Sequence, residues 1–293
     1  MKKREADFHY NVVPFILEKG DIADILRVAN AGLDIPEKRV MQALTDLRRL
    51  VNPDGGVVFA LEKGNPSSVK KTAEILLLVL PYEEECSDTI EAMIPFLVSR
   101  QKKDGGFAET LNLEPLIQDR YASAGGVEWY PVGKSVTWLT GKALEALCRV
   151  GFEEEHRLRK ARDFLIYSQN EDGHWPDFKG QNESDPLATG NILAGLKAMG
   201  IAKDSKTYQD ARAALFHHLH TSIEAGSTYD MVDLSVIDEV HSELEKQVVD
   251  KGFELVIESQ NKDGGWTGPG LKKSNPELTS LLVFALKTCC KKE

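Results

Sequence analysis

Aromatic and charged residues gather in one irregular stretch: Arg120, Tyr121, Glu128, Trp129 and Tyr130, with Lys134 just beyond. Ring faces carry negative potential, so aromatics set over a cavity would stabilise a carbocation. Arg120 and Lys134 would suit diphosphate oxygens, and Mg²⁺ would accompany such a group if one is bound. With no ligand, the same residues would make a lid held down by its aromatics. His174 stands beside Trp175 and near Asp177 and Asp185. An imidazole near two acids titrates around neutrality, although the position also suits a surface turn. Asp230 and Asp233, three apart, would share a helix face, either as a working pair or as solvated capping groups. Lys70-Lys71 and Lys272-Lys273 precede or open predicted helices, where an anion site would be useful. His217, His218 and His220 fall on a polar predicted helix and read as surface residues. No phosphate-cradling GxxxxGK loop, GxSxG elbow, HExxH helix or zinc-ribbon spacing occurs.

The elements that would position these groups are marked by a recurring stretch. Gln260-Asn261-Lys262-Asp263-Gly264-Gly265-Trp266 has near-copies at Gln169-Asn170-Glu171-Asp172-Gly173-His174-Trp175 and Gln101-Lys102-Lys103-Asp104-Gly105-Gly106-Phe107. A worn copy is Val51-Asn52-Pro53-Asp54-Gly55-Gly56-Val57. Each follows an apolar helical stretch, and such recurrence implies repeated helical units. The last gap is long enough to hide a degenerate copy near Glu224-Ala225-Gly226-Ser227. Asp-Gly suits a tight turn and the Gln amide can satisfy backbone groups at a helix end, so the motif reads as a structural clamp.

Periodicity predicts small, apolar helices over 22–32, 69–80, 136–150, 187–200, 231–241 and 278–289. More charged, amphipathic ones are predicted over 37–50, 88–101, 155–169, 207–222 and 243–260. The first set suits an inner layer and the second an outer one, with 8–18 supplying the remaining outer segment. Gly32, Gly151 and Gly200 would end inner helices, and Pro36, Pro186 and Pro276 would open helical turns. The stretch 108–133 is long and rich in Gly and Pro, and no strand pattern exceeds four residues. The expected fold is all-α: an α/α toroid of about six inner and six outer helices, with residues 1–293 as a single domain.

The 293 residues are 42% hydrophobic and 28% charged, which favours a folded core over disorder. A net charge of -10 argues against nucleic-acid binding, which needs a basic surface. No apolar run is long enough to span a bilayer, the N-terminus lacks a signal peptide's apolar core, and Cys86, Cys148, Cys289 and Cys290 show no CxxC pairing. A reduced cytoplasmic setting is the expectation. The terminal Cys289-Cys290-Lys291-Lys292-Glu293 is only superficially like a lipidation signal.

At the motifs the chain resembles the superfamily of squalene–hopene cyclases, class II diterpene cyclases and protein prenyltransferase β subunits. Lys251-Gly252 through Trp266 is similar to the Gln-Trp motif of the cyclases, with Val256 at an apolar position. Leu165 to Trp175 and Leu97 to Phe107 match its second half. Helix starts such as Ser135-Val136-Thr137-Trp138 and Ala188-Thr189-Gly190-Asn191 also look like the family's. The resemblance implies an α/α toroid whose central cavity takes an isoprenoid. It implies Asp185 as the leading acid, since Asp185-Pro186-Leu187-Ala188-Thr189 keeps the first carboxylate of the family's Asp-x-Asp-Asp. Asp230 and Asp233 are secondary, because Val232 replaces the acid of that partial match. Trp129, Tyr130 and Trp138 would line the hydrocarbon. The prenyltransferase zinc set is not matched: Leu187 stands at the Cys position, and no metal ligand is assigned. The chain's size is near that of a prenyltransferase β subunit, which implies a partner subunit.

Three functions follow: an isoprenoid cyclase or prenyltransferase-like enzyme, a non-catalytic toroid binding lipid or protein, or a carbohydrate-active lyase or hydrolase. The last would need two opposed carboxylates, with Asp185 and Glu128 as one pair.

Overall fold

A computed structural model describes residues 7–121 and 128–290. The signal-peptide and lipidation expectations at the two ends, and the middle of the 108–133 stretch, fall outside or partly outside them. Among the described residues twelve α-helices run in order: α1 (Val12–Lys19), α2 (Ile22–Asn30), α3 (Glu37–Leu47), α4 (Val69–Val79), α5 (Glu83–Ser99), α6 (Glu114–Tyr121), α7 (Thr137–Arg149), α8 (Glu155–Ser168), α9 (Ala188–Ala198), α10 (Lys206–Glu224), α11 (Glu243–Glu258) and α12 (Pro276–Thr288). The sheet among the described residues is a pair of two-residue strands, Trp266–Thr267 against Ser274–Asn275.

The chain divides into two compact units, residues 46–214 and residues 1–45 with 215–293. In the first, α4, α7 and α9 are the buried helices. All three carry side chains with no measurable exposure on several faces, such as Ile75 and Leu76 on α4, Leu139, Ala143 and Leu144 on α7, and Ile192 and Leu196 on α9. α7 and α9 meet through glycine: a methyl on Gly195 would strike the backbone of Gly141, and one on Gly141 would strike Asn191 O at 2.7 Å. α5 and α8 carry the charge, and α5 opens on Glu83, Glu84 and Glu85, which complement the positive end of its dipole.

In the second unit α2 and α12 are the buried pair. Asp21 caps α2 in a reciprocal box with Asp24, and Asn275 caps α12 just before Pro276 at its first position. Arg27 Nη1 donates to Asp24 Oδ1 (3.2 Å) and Ser280 Oγ (2.5 Å), and Ser280 Oγ donates to Asp24 (2.7 Å). All three side chains are buried, so the cluster ties α2 to α12. Burial, then the charge of Asp21, raises the Asp24 carboxyl to about 6 against the opposing pull of Arg27.

Two expectations need correction. Residues 231–241 do not form an α-helix; Tyr229–Val236 is a 3₁₀ helix, and irregular chain follows to the α11 cap at Ser242. Met231, Leu234 and Ile237 are all buried and three apart, a spacing that a 3₁₀ helix aligns on one face and an α-helix fans out. The 108–133 stretch is not all loop: a 3₁₀ turn at Leu111–Leu113 leads into α6, with Pro115 in its first turn, where a missing N–H costs nothing.

Candidate functional site

The same contacts recur at each motif, which separates what is structural from what is not. The second glycine position is preceded by one with positive φ: Gly55 (85°), Gly105 (96°), Gly173 (85°) and Gly264 (89°). A methyl there would enter the backbone of Ala92, Lys160, Asp210 or Asn11 respectively, so each turn lies against another helix or its cap. Gln101 Nε2 donates to Gly105 O and Arg157 O, Gln169 Nε2 to Gly173 O and Thr207 O, and Gln260 Nε2 to Gly264 O and Tyr10 O. These are clamps, but the amide ties the turn to the next segment (Arg157, Thr207 or Tyr10) instead of capping the helix it follows.

Each motif aspartate also accepts a hydrogen bond from a downstream serine: Asp54 from Ser67, Asp104 from Ser135, Asp172 from Ser184 and Asp263 from Ser274. Five positions after each serine stands a threonine in the first turn of α4, α7, α9 or α12. Thr72, Thr140 and Thr279 accept the N–H of Val57, Phe107 and Trp266. The third motif departs. Thr189 Oγ1 instead meets Nδ1 of His174 at 2.7 Å, because His174 replaces the glycine of the other copies.

Two residues past the last position of each motif, the copies diverge in chemistry: Phe59, Glu109, Asp177 and Gly268. Glu109 is buried and saturated. Its carboxylate accepts from Ser68 Oγ (2.7 Å), Val69 N (2.7 Å), Lys70 N (3.0 Å) and Tyr130 Oη (2.7 Å), which closes the N-terminus of α4. Asp177 is only 5% exposed, but its main chain does the equivalent work. Asp177 O accepts Thr137 N (2.8 Å) and Thr137 Oγ1 (2.9 Å) at the start of α7.

The carboxyl of Asp177 is therefore left over, and it faces Asp185. Burial first, then the charge of Asp185 and the hydrogen bond between the two carboxyls, raise Asp177 to about 7; Gln181 opposes this. Taken as ionised, Asp177 Oδ1 is buried with no hydrogen-bond partner among the described residues. Asp185 is fixed in turn by its backbone, which pairs with Trp175, and by its Oδ1, which accepts Leu187 N (3.0 Å) ahead of α9.

The predicted aromatics form one cluster. Trp129 stacks on Tyr130 (5.3 Å between centroids), Trp138 meets Tyr130 edge-on (4.8 Å), and Tyr121 meets Trp129 (5.2 Å). Trp138 follows Thr137, so α7's first turn carries both the cluster and the hydrogen bonds to Asp177. Arg120 lies over Tyr121 (5.9 Å) and Lys134 over Phe178 (4.9 Å), while Glu128 is exposed. Asp230 and Asp233 lie in the 3₁₀ helix of the other unit; Asp230 Oδ1 is 3.9 Å from His218 Nε2, and Asp233 is buried. Among the described residues, no three His, Cys, Asp or Glu side chains converge as metal ligands would. Sequence reasoning gave no part to Glu109 and named Asp177 only as a neighbour of His174. The signal was there: a carboxylate two positions past the motif aromatic in two successive copies.

Comparison with solved structures settles the architecture. The type II terpene cyclase MstE from Scytonema, in complex with its substrate geranylgeranyl dihydroxybenzoate, aligns at a TM-score of 0.67 over 92% of this chain and 86% of that one, with 16% identity. The fold is the α/α toroid of the type II terpene cyclases. The ent-copalyl diphosphate synthase from Streptomyces platensis matches over 92% of this chain and 50% of its own (TM-score 0.58, 17% identity). The toroid is not confined to terpene chemistry: a novel alpha-amylase from Clostridium perfringens aligns at 0.60 over 92% and 85%, with 9% identity. No family model and no curated protein matches the sequence. At these identities the terpene-cyclase likeness establishes fold alone.

Proposed function

We propose that the protein binds an isoprenoid and initiates its cyclisation by proton transfer from Asp177, with Asp185 as the second member of the acid pair. The observation that carries this reading is the placement of Asp177: its side chain is buried with Oδ1 lacking a hydrogen-bond partner among the described residues, beside the first turn of α7 that bears Trp138, and burial raises its carboxyl to about 7. An unactivated alkene needs a carboxyl that still holds its proton at neutral pH in a dry setting. In the proposed step the Asp177 O–H bond breaks, its proton forms a C–H bond at one alkene carbon, and the cation is left on the other. Asp185 holds the resulting carboxylate's proton site in register, and the face of the aromatic cluster at α7 offers cation–π stabilisation. No step runs through a metal. The terpene-cyclase fold supports the substrate class, since neighbours of that fold act on prenylated substrates.

The alpha-amylase likeness raises a carbohydrate-active alternative. Glycoside hydrolysis needs carboxyls separated by roughly 5–9.5 Å, to admit a sugar carbon or a water. The charge of Asp185 is felt at Asp177, as expected of neighbouring carboxyls rather than of a pair opposed across a groove, and this favours proton donation. A thermal-shift titration with geranylgeranyl diphosphate and squalene tests the substrate class. A dose-dependent rise in Tm supports it; a response confined to oligosaccharides would replace it with the second reading.

A further inference from the structure

α12 runs out onto two adjacent cysteines whose side chains point at one another: Cys289 Sγ and Cys290 Sγ are 3.7 Å apart. Neighbouring side chains ordinarily diverge, by about 100° around a helix and to opposite faces in a strand. The backbone shows what overcomes this. Cys289 leaves the helix at φ −52° and ψ 128°, and Cys290 takes a φ of 56°, the left-handed region that residues with a Cβ rarely enter. Strain of that kind persists where neighbouring contacts enforce it. Here Cys289 N–H donates to Ala285 O (2.9 Å) and Cys290 N–H to Ile237 O (2.7 Å), which ties the turn to the end of the 3₁₀ helix. The fold therefore holds two thiols in contact, with Cys289 buried and Cys290 half-buried.

The other two cysteines are unlike them. Burial pushes the Cys86 thiol up, and burial with the charge of Glu145 pushes Cys148 up to about 11, so neither readily gives the thiolate that meets an oxidant. The sulfur that Cys148 meets is the thioether of Met199 (3.8 Å), which cannot close a disulfide.

We propose that Cys289 and Cys290 are a redox-modification site, closed reversibly to a vicinal disulfide by a peroxide. Cys290, the more exposed, supplies the thiolate. Its sulfur attacks one peroxide oxygen, the O–O bond breaks, and the other oxygen leaves as water with the proton the thiol released. Cys290 is now a sulfenic acid. The Cys289 sulfur attacks it, the S–O bond breaks, and hydroxide leaves as a second water with the Cys289 proton. Two thiols and one peroxide become one disulfide and two waters. The ring is strained, since adjacent Cα atoms lie about 3.8 Å apart where disulfides usually need roughly 4.4–6.8 Å, so thiols reopen it readily. The site is independent of the proposed isoprenoid chemistry: Asp177 belongs to residues 46–214 and the pair to the other compact unit.

Thiol mapping on the full chain tests it. The reduced protein is treated with a small excess of hydrogen peroxide, quenched with catalase, alkylated in denaturant and analysed by mass spectrometry. Of the four cysteines, Cys289 and Cys290 should be lost together, their peptide lighter by two hydrogens with no oxygen gained, while Cys86 and Cys148 stay alkylated. Dithiothreitol should restore both. Cys289→Ser removes the resolving thiol, so Cys290 should stop at a sulfenic acid that dimedone traps in the variant and not in the parent. Persistence of all four thiols, oxygen addition at the parent's Cys290, or a disulfide-linked dimer in place of the internal ring would overturn the assignment.

Discussion

At Asp177, burial and a neighbouring charge act in the same direction, and the outcome has a definite pH sign. Its folded pKa of about 7 lies above the unfolded value near 4, so the folded protein holds the proton more tightly. The resulting contribution to stability is complete below about pH 4 and is lost as pH rises through 7. Asp177→Asn keeps the shape, donates to Asp185 and cannot ionise. It should raise Tm at pH 8, by an amount worth about 1–3 kcal/mol, and leave Tm at pH 4 nearly unchanged. Calorimetry at the two pH values checks this, and a loss of stability at pH 8 would speak against the raised carboxyl. Glu109 makes the opposite case at the same place in the preceding motif. Glu109→Ala strands Val69 N, Lys70 N and Tyr130 Oη in the interior and should cost about 2–4 kcal/mol in urea denaturation, with Tyr130→Phe costing about 1.

At the scale of the elements, the turn of each motif is a mechanical part. Gly105→Ala must place a methyl inside Lys160's backbone at a φ of 96° and should cost about 2 kcal/mol or more. His174→Gly, by contrast, would restore the contact pattern of the other motifs, freeing Thr189 to accept the N–H of Trp175. Its stability should stay within about 1 kcal/mol of the parent while turnover changes, a combination that denaturation and product assays together would reveal. A loss as large as that of Gly105→Ala would make His174 a structural residue. Most helices were legible because apolar spacing and Asp-Gly turns speak directly to backbone geometry. The 3₁₀ helix at Tyr229–Val236 was not, since Met231, Leu234 and Ile237 fit either helix type until burial is known. The acid pair was half legible: Asp185 was singled out, but the raised carboxyl of Asp177 depends on packing that no spacing encodes.

For the whole molecule, the terpene-cyclase likeness covers 92% of the chain and so includes residues of both compact units. We propose that the chain unfolds as one domain. A single calorimetric transition, with equal calorimetric and van't Hoff enthalpies, is expected; two resolved transitions would contradict it. Gln260 reaches across the sequence to Tyr10, donating to its O (2.9 Å) and accepting its N–H (3.0 Å), so the last motif holds the start of the chain. No helix among the described residues is long and apolar enough to cross a membrane.

The measurement that bears most directly on the central claim is isotope incorporation. The protein, its Asp177→Asn variant and a no-enzyme control would be incubated in D₂O with squalene and with geranylgeranyl diphosphate, and the products analysed by mass spectrometry. Proton-initiated cyclisation predicts a cyclic product carrying one solvent deuterium, formed less well as pH rises above about 7 and lost in Asp177→Asn. A product formed without deuterium, or equally by the variant, would contradict Asp177 as the proton donor.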